Sequence, residues 1–167
     1  EVLPDMRRIA KIVNFGIMYG AGSFRLSQEL GIPAAEAKKI IEAYFEKYKG
    51  IKQYMVDTKL LVRKEKSVST LLGRTRAVWD SDSQNQVRRD AAERMAINMP
   101  IQGTAAEMIK IAMIKIDNDL KENNLKSKLI LQIHDELLLE VHNDEIDYVK
   151  DMVIKHMKNA IELDVPV

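Results

Sequence analysis

Residues 6–20 read MRRIAKIVNFGIMYG, and within this stretch Arg7, Lys11, Phe15 and Tyr19 recur every four residues. A step of four residues turns an α-helix by about 400°, so successive members of the series drift by only about 40° around the axis. The four side chains therefore share one broad face. The pattern predicts a helix, and Gly20 and Gly22 mark its end.

Two cations followed by two aromatic rings along one helix face suit a nucleoside triphosphate. Cations bind phosphates, and rings pack against sugar and base. The alternative is an ordinary amphipathic helix, with Phe15 and Tyr19 in the core and a solvated basic start. Basic residues near a helix N-terminus oppose the macrodipole, which mildly weakens that alternative. Spacing alone leaves both interpretations open.

Outward from this stretch, hydrophobic periodicity indicates a mainly helical α+β fold. Helices are predicted over about residues 5–18, 23–30, 33–48, 51–66, 86–99, 102–121 and 144–161, with glycine and proline marking many ends. Strands or short hairpins are predicted over residues 67–78 and over 129–133 with 137–141, and a polar loop over 80–86. Pro100 predicts a kink or break near residue 99, because proline disfavours a helical residue before it.

The tip of the second hairpin carries His134, Asp135 and Glu136. Adjacent carboxylates offer the hard oxygen ligands that Mg²⁺ prefers. The alternative is that these are ordinary polar turn residues. Two flanking apolar strands favour the metal interpretation, since charges there are costly to desolvate without a cation.

Further polar side chains suit nucleic acid. Arg94, Asn98 and Gln102 are four residues apart and could face base edges in a minor groove, although Pro100 interrupts the series. Arg74 and Arg76 could contact backbone phosphates. The alternative is that all five are ordinary surface residues.

Composition excludes several classes of protein. The 167 residues include no cysteine, so disulfides and thiolate metal sites are absent, and a reducing cytoplasm fits. No apolar run is long enough to span a membrane. The net charge of +1 conceals an uneven distribution: residues 1–89 hold 17 basic and 10 acidic side chains, and residues 90–167 hold 9 and 15. A basic half suits phosphates, and an acidic half suits metal cations or solubility.

Three stretches together resemble DNA polymerases of family A, the bacterial polymerase I kind. Residues 6–20 resemble the family's fingers helix, Arg-x3-Lys-x3-Phe-x3-Tyr-Gly. Residues 92–106, AERMAINMPIQGTAA, resemble the segment that joins fingers to palm, and residues 132–136, QIHDE, resemble the third catalytic motif. The three matches occur in the family's order, and the resemblance extends over essentially the whole chain.

The resemblance implies a role for each matched residue. Arg7 and Lys11 would hold the triphosphate of an incoming dNTP. Phe15 would pack against its sugar, and Tyr19 would guard the nascent base pair. The expected contacts with primer–template DNA come from Arg74, Arg76, Arg94, Asn98, Gln102 and His134.

The implied reaction is attack of a primer 3′-hydroxyl on the α-phosphate, with two Mg²⁺ ions in the complete site. Asp135 would bind Mg²⁺ with help from Glu136, and Lys11 would act with them. The family's first catalytic motif, Asp-Tyr-Ser-Gln-Ile-Glu-like, does not occur in this sequence. We therefore expect the missing remainder of a polymerase chain as a partner, and no polymerisation by these 167 residues alone.

The resemblance also predicts the subdomains and the location. Residues 1–90 would form the fingers, and residues 91–167 a partial palm that contains the metal-binding hairpin 129–141. The expected location is the bacterial cytoplasm or nucleoid, without membrane association. The rival hypothesis is a non-catalytic nucleotide- or nucleic-acid-binding module, but the intact set of matched residues favours descent from an active enzyme.

Overall fold

The computed structural model of the chain describes residues 3–166, which form six α-helices and two antiparallel hairpins. The mainly helical α+β prediction is confirmed. In chain order the elements are α1 (Pro4–Met18), α2 (Ser23–Leu30), α3 (Ala34–Lys47), α4 (Lys49–Glu65), β1 (Ser67–Ser69), β2 (Thr75–Ala77), α5 (Gln86–Glu122), β3 (Lys128–Ile133), β4 (Glu136–Glu140) and α6 (Ile146–Lys158).

The chain folds as two compact units that divide between Gln102 and Gly103, inside α5. The division reflects which residues pack together, and it does not identify fingers or palm. The predicted boundary between these subdomains near residue 90 stays a prediction.

Gly31 and Pro33 lie at helix ends as the sequence predicts, whereas Gly50, predicted to precede the fourth helix, lies inside α4. Gly31 follows α2 in the left-handed conformation, with φ of 67°, which a residue without a Cβ adopts at little cost. Pro33 then precedes α3 with φ of −59°, a value already suited to a helix start.

Strands β1 and β2 pair antiparallel, with Val68 opposite Arg76, so the predicted hairpin is confirmed.

A small apolar core joins α4, the first hairpin and the start of α5. Its buried residues are Val62, Val68, Val78, Ala92 and Ala96. A fully buried valine side chain contributes about 1.5–3 kcal/mol relative to an exposed one. The two alanines place little volume between α5 and its neighbours, which lets the elements pack closely.

A buried carboxylate ties α4 to α5 beside this core. The Glu93 side chain is 7% exposed and lies 3.2 Å from the Lys59 ammonium. The Nε of Arg63 donates to the same carboxylate over 3.0 Å, and its guanidinium makes a second contact there. Burial acts to raise the pKa of Glu93, but the hydrogen bonds and charges of Arg63 and Lys59 outweigh it and hold the pKa below its ordinary value.

The second unit, from Gly103 onward, packs the hairpin β3–β4 against two helices. Its buried core comprises Ile116 and Leu120 on α5 and Val149 and Met152 on α6. Residues of β4 pack against this cluster from one face of the hairpin. Ile130, Leu131 and Leu138 are each about half exposed, so the remaining apolar side chains stay open to solvent.

Helix α5 is 37 residues long and includes Pro100 without interruption. Of the predicted kink or break near residue 99, the break is therefore wrong, and the kink stays a prediction. Proline removes one backbone donor and crowds the preceding turn. Ile97 before the proline and Thr104 after it are both buried, so packing is available to offset this cost. Neither α5 nor any other helix of residues 3–166 is long and apolar enough to cross a lipid bilayer.

The segment predicted as a polar loop is partly ordered, which corrects that prediction. Trp79–Asp82 form a 3₁₀ turn, and Ser81 is fully buried with its hydroxyl donating to the Val62 carbonyl over 3.0 Å. The Asn85 side chain accepts from the Val87 amide over 3.0 Å and so caps the start of α5. Short polar residues make these local bonds, which composition alone does not distinguish from a solvated loop.

We expect Glu93→Gln to lower the free energy of unfolding by about 1–3 kcal/mol at neutral pH, because the buried carboxylate loses its charge-assisted bonds. The folded-state pKa is depressed, so this stabilisation is present above the unfolded pKa and disappears as the pH falls through the folded-state value. Urea denaturation of both chains across the acid range measures the difference.

The matched control is Glu42→Gln, whose carboxylate lies 3.9 Å from Lys38 in an exposed pair and should change stability very little. An equal loss in both variants, or a Glu93→Gln difference that persists at the acid end, would contradict the assignment.

Candidate functional site

The four side chains that recur along α1 remain accessible in the folded chain. Arg7, Lys11, Phe15 and Tyr19 are all exposed, with Phe15 at 49% and Tyr19 at 43%. The two rings stack with centroids 6.1 Å apart, and the Lys11 ammonium lies 5.9 Å from the Phe15 centroid. The alternative that placed both rings in a core is therefore wrong. The face presents cations and rings outward, as a ligand with phosphate and planar groups requires.

An open cavity of about 480 Å³ lies beside this face. Lys11, Phe15, Gly16 and Tyr19 contribute to its wall from α1, and Arg25 and Glu29 contribute from α2. Arg25 and Glu29 form an exposed ion pair of 2.9 Å. Sequence reasoning missed these two residues. Their spacing of four on a helix was the available signal, but it does not say which neighbour the pair faces.

Arg94 meets the end of α1. Gly20 has φ of 75°, and a Cβ built on it would lie 2.6 Å from Cγ of Arg94 and 3.1 Å from its Cδ. The aliphatic stem of Arg94 therefore occupies the space that any side chain at position 20 would need. This contact links the nucleotide-binding candidate α1 to the first of the polar residues on α5.

The uninterrupted course of α5 places Arg94, Asn98 and Gln102 on successive turns of one helix. Arg94 and Gln102 are exposed and Asn98 is partly exposed. Arg76 lies in β2, and Arg74 follows Gly73 in the turn of the same hairpin, both exposed. Their roles in DNA binding stay a prediction.

The hairpin tip is tighter than expected. His134 and Asp135 form the turn, with His134 in the left-handed conformation at φ of 54°, and Glu136 is already the first residue of β4. The side-chain amide of Gln132 donates to the His134 carbonyl over 2.8 Å and stabilises the turn. All three tip residues are exposed, so the desolvation argument for a cation does not apply within this chain.

The tip offers carboxylate oxygens but no closed metal site. Asp135 borders a small cavity of about 180 Å³ that is otherwise lined by apolar residues, including Met108 and Met157. Within the described part of the chain, no three histidine, aspartate or glutamate side chains come close enough together to hold a metal ion. Asp135 and Glu136 can supply ligands to Mg²⁺ only as part of a larger set.

The candidate residues are shared between the two compact units. The first unit holds Arg7, Lys11, Phe15, Tyr19, Arg74, Arg76, Arg94, Asn98 and Gln102, and the second holds His134, Asp135 and Glu136.

Known proteins match the chain along its length. The family model "DNA polymerase family A" matches residues 1–167. DNA polymerase I of Caldicellulosiruptor bescii is 48% identical over 166 residues, which are 99% of this chain and 20% of that protein. The thermostable DNA polymerase I of Thermus filiformis is 49% identical over 163 residues, covering 98% of this chain and 19% of its own length.

A solved structure agrees with these relatives. The POL domain of Pol1 from M. smegmatis, in complex with DNA primer–template and dNTP, superposes with a TM-score of 0.95 at 44% identity. The aligned region covers 99% of this chain and 29% of the chain in that structure. The chain spans about a fifth of the length of the curated relatives it matches.

We expect Gly20→Ala to displace the Arg94 side chain and to lower the free energy of unfolding by about 1–3 kcal/mol, because it adds both a strained backbone and a clash. Gly31→Ala is the matched control: its φ of 67° is equally unfavourable, but nothing lies within 4 Å of the added Cβ. Urea denaturation compares the two losses.

The double variant Gly20→Ala/Arg94→Ala separates clash from strain, since removing the Arg94 stem should recover part of the loss. If Gly20→Ala lowers the free energy of unfolding no more than Gly31→Ala does, the packing of Arg94 against Gly20 does not contribute to stability.

Proposed function

The chain belongs to DNA polymerase family A, and from that premise we propose that it forms the nucleotide-binding helix and part of the catalytic palm of a template-directed DNA polymerase. The observation that carries the proposal is the exposed face of α1, where Lys11 and the stacked rings of Phe15 and Tyr19 border an open cavity. The structural relative bound to primer–template DNA and dNTP supports both ligands.

In this proposal α1 binds the incoming dNTP. Arg7 and Lys11 bind the triphosphate through their positive charges. Lys11 also stabilises the negative charge that develops on the α-phosphate during transfer. Phe15 packs against the sugar. Tyr19, stacked on Phe15 and next to Gly20, guards the nascent base pair.

The remaining candidates hold primer–template DNA. Arg74 and Arg76 contact phosphates, whose charge supplies most of the affinity and no sequence preference. Arg94, Asn98 and Gln102 approach the minor groove, where acceptor positions are nearly the same for every base pair. His134, at the hairpin tip, contacts the primer end.

Asp135 with Glu136 would hold Mg²⁺, since exposed carboxylates match its preference for oxygen. When bound, two Mg²⁺ ions stabilise the attacking and leaving oxygens of phosphoryl transfer. Two adjacent carboxylates are too few to fix both ions, and no third carboxylate joins them within residues 3–166. The other ligands would come from the rest of a longer polymerase chain, working in a bacterial cytoplasm.

We expect Asp135→Asn, made in a longer polymerase that contains these residues, to abolish primer extension while primer–template affinity stays within a few-fold. The change keeps the side-chain shape but removes the charge that Mg²⁺ requires, whereas duplex affinity depends mainly on phosphate contacts. Asp144→Asn, an exposed aspartate beyond β4, is the control and should extend primers normally. Lost duplex binding with retained single-turnover chemistry would reverse the assignment.

The same primer-extension assay applies to the 167-residue chain with Mg²⁺ and all four dNTPs, where we expect no extension. Template-directed extension by this chain that Asp135→Asn abolishes would show that further carboxylates are dispensable.

A further inference from the structure

Helix α5 has a weak point at Pro100. Proline has no amide hydrogen, so the Ala96 carbonyl, four residues earlier, lacks its helical donor. The proline ring also crowds that carbonyl and disturbs the adjacent turn. The backbone between Ile97 and Ile101 is therefore the part of α5 whose direction its own hydrogen bonds fix least.

A side chain from another helix bonds to the backbone at this point. The Tyr54 hydroxyl, on α4, donates to the Ile97 carbonyl over 2.7 Å. Ile97 is almost fully buried, and Tyr54 is half-buried. Burial raises the pKa of Tyr54, with a smaller opposing effect of its hydrogen bond to Thr58, so the hydroxyl remains a proton donor at neutral pH.

We propose that Tyr54 is a positioning residue that fixes the backbone of α5 at Pro100. Its hydroxyl holds the Ile97 carbonyl. Ile97 is adjacent to Asn98 and lies about one and a half turns before Gln102. The bond therefore sets the direction in which the Asn98 and Gln102 side chains leave the helix. The backbone part of this inference stands on the contact alone. The consequence for primer–template DNA rests on the proposed function.

Hydrogen exchange tests the backbone part on the 167-residue chain. Tyr54→Phe removes only the hydroxyl and should speed amide exchange in residues 97–103 by about three- to tenfold, the range expected for one net hydrogen bond. Tyr48→Phe, an exposed tyrosine at the start of the same helix, should change nothing there. Unchanged exchange in Tyr54→Phe overturns the proposal.

A second background separates this role from ordinary stabilisation. Pro100→Ala restores the amide that donates to the Ala96 carbonyl, so the helix's own hydrogen bonds then fix the backbone beside Ile97. Tyr54→Phe should therefore lose most of its effect on exchange. The same acceleration with alanine and with proline at position 100 would show a bond unrelated to the proline, which also overturns the proposal.

The functional consequence is measured in a longer polymerase. Tyr54→Phe should raise the KM for primer–template several-fold while the KM for dNTP and kcat stay within twofold, because only the α5 contacts move. Tyr48→Phe should match the parent in all three constants. Altered exchange with an unchanged KM for primer–template would overturn the DNA part alone, whereas failure of the Asp135→Asn experiment would leave the backbone result intact.

Discussion

Helix α5 imposes the constraint on which the rest of the structure depends. Its first half supplies Ala92 and Ala96 to the core of one compact unit, and its second half supplies Ile116 and Leu120 to the core of the other. Because the helix is continuous, the spacing of its polar residues is fixed at one per turn. A proline at position 100 would weaken an isolated helix by roughly 3 kcal/mol, so tertiary packing and the bond from Tyr54 must outweigh it.

The face of α1 keeps aromatic surface exposed to solvent at a cost in stability. Phe15 and Tyr19 are each nearly half exposed, which forgoes on the order of 1 kcal/mol of burial free energy per ring. Basic residues near the helix start are also unfavourable for the macrodipole. Asp5 in the first turn, 3.7 Å from Arg8, offsets part of the second cost. If α1 binds a dNTP as proposed, the nucleotide would supply partners for the exposed rings and for the remaining cations.

Sequence patterns predicted the parts of this fold that local chemistry determines. Gly31 and Pro33 locate the ends of their helices to within a residue, and the β-branched stretch after α4 does form a hairpin. Long-range contacts could not be predicted. Burial of Ser81 and the bond between Tyr54 and Ile97, 43 residues apart, depend on which elements meet. The same holds for Arg25, which borders the same cavity as Lys11 only because of how α2 packs.

The central claim is that the exposed face of α1 binds the triphosphate of the incoming nucleotide. Single-turnover incorporation by Lys11→Ala, in a longer polymerase, measures it most directly against Lys38→Ala, an exposed lysine on α3. We expect Lys11→Ala to lose about 100-fold or more in incorporation efficiency, as for removal of one transition-state contact, and Lys38→Ala to lose none. A maximal rate and a Kd for dNTP that both stay within twofold of the parent in Lys11→Ala would contradict it.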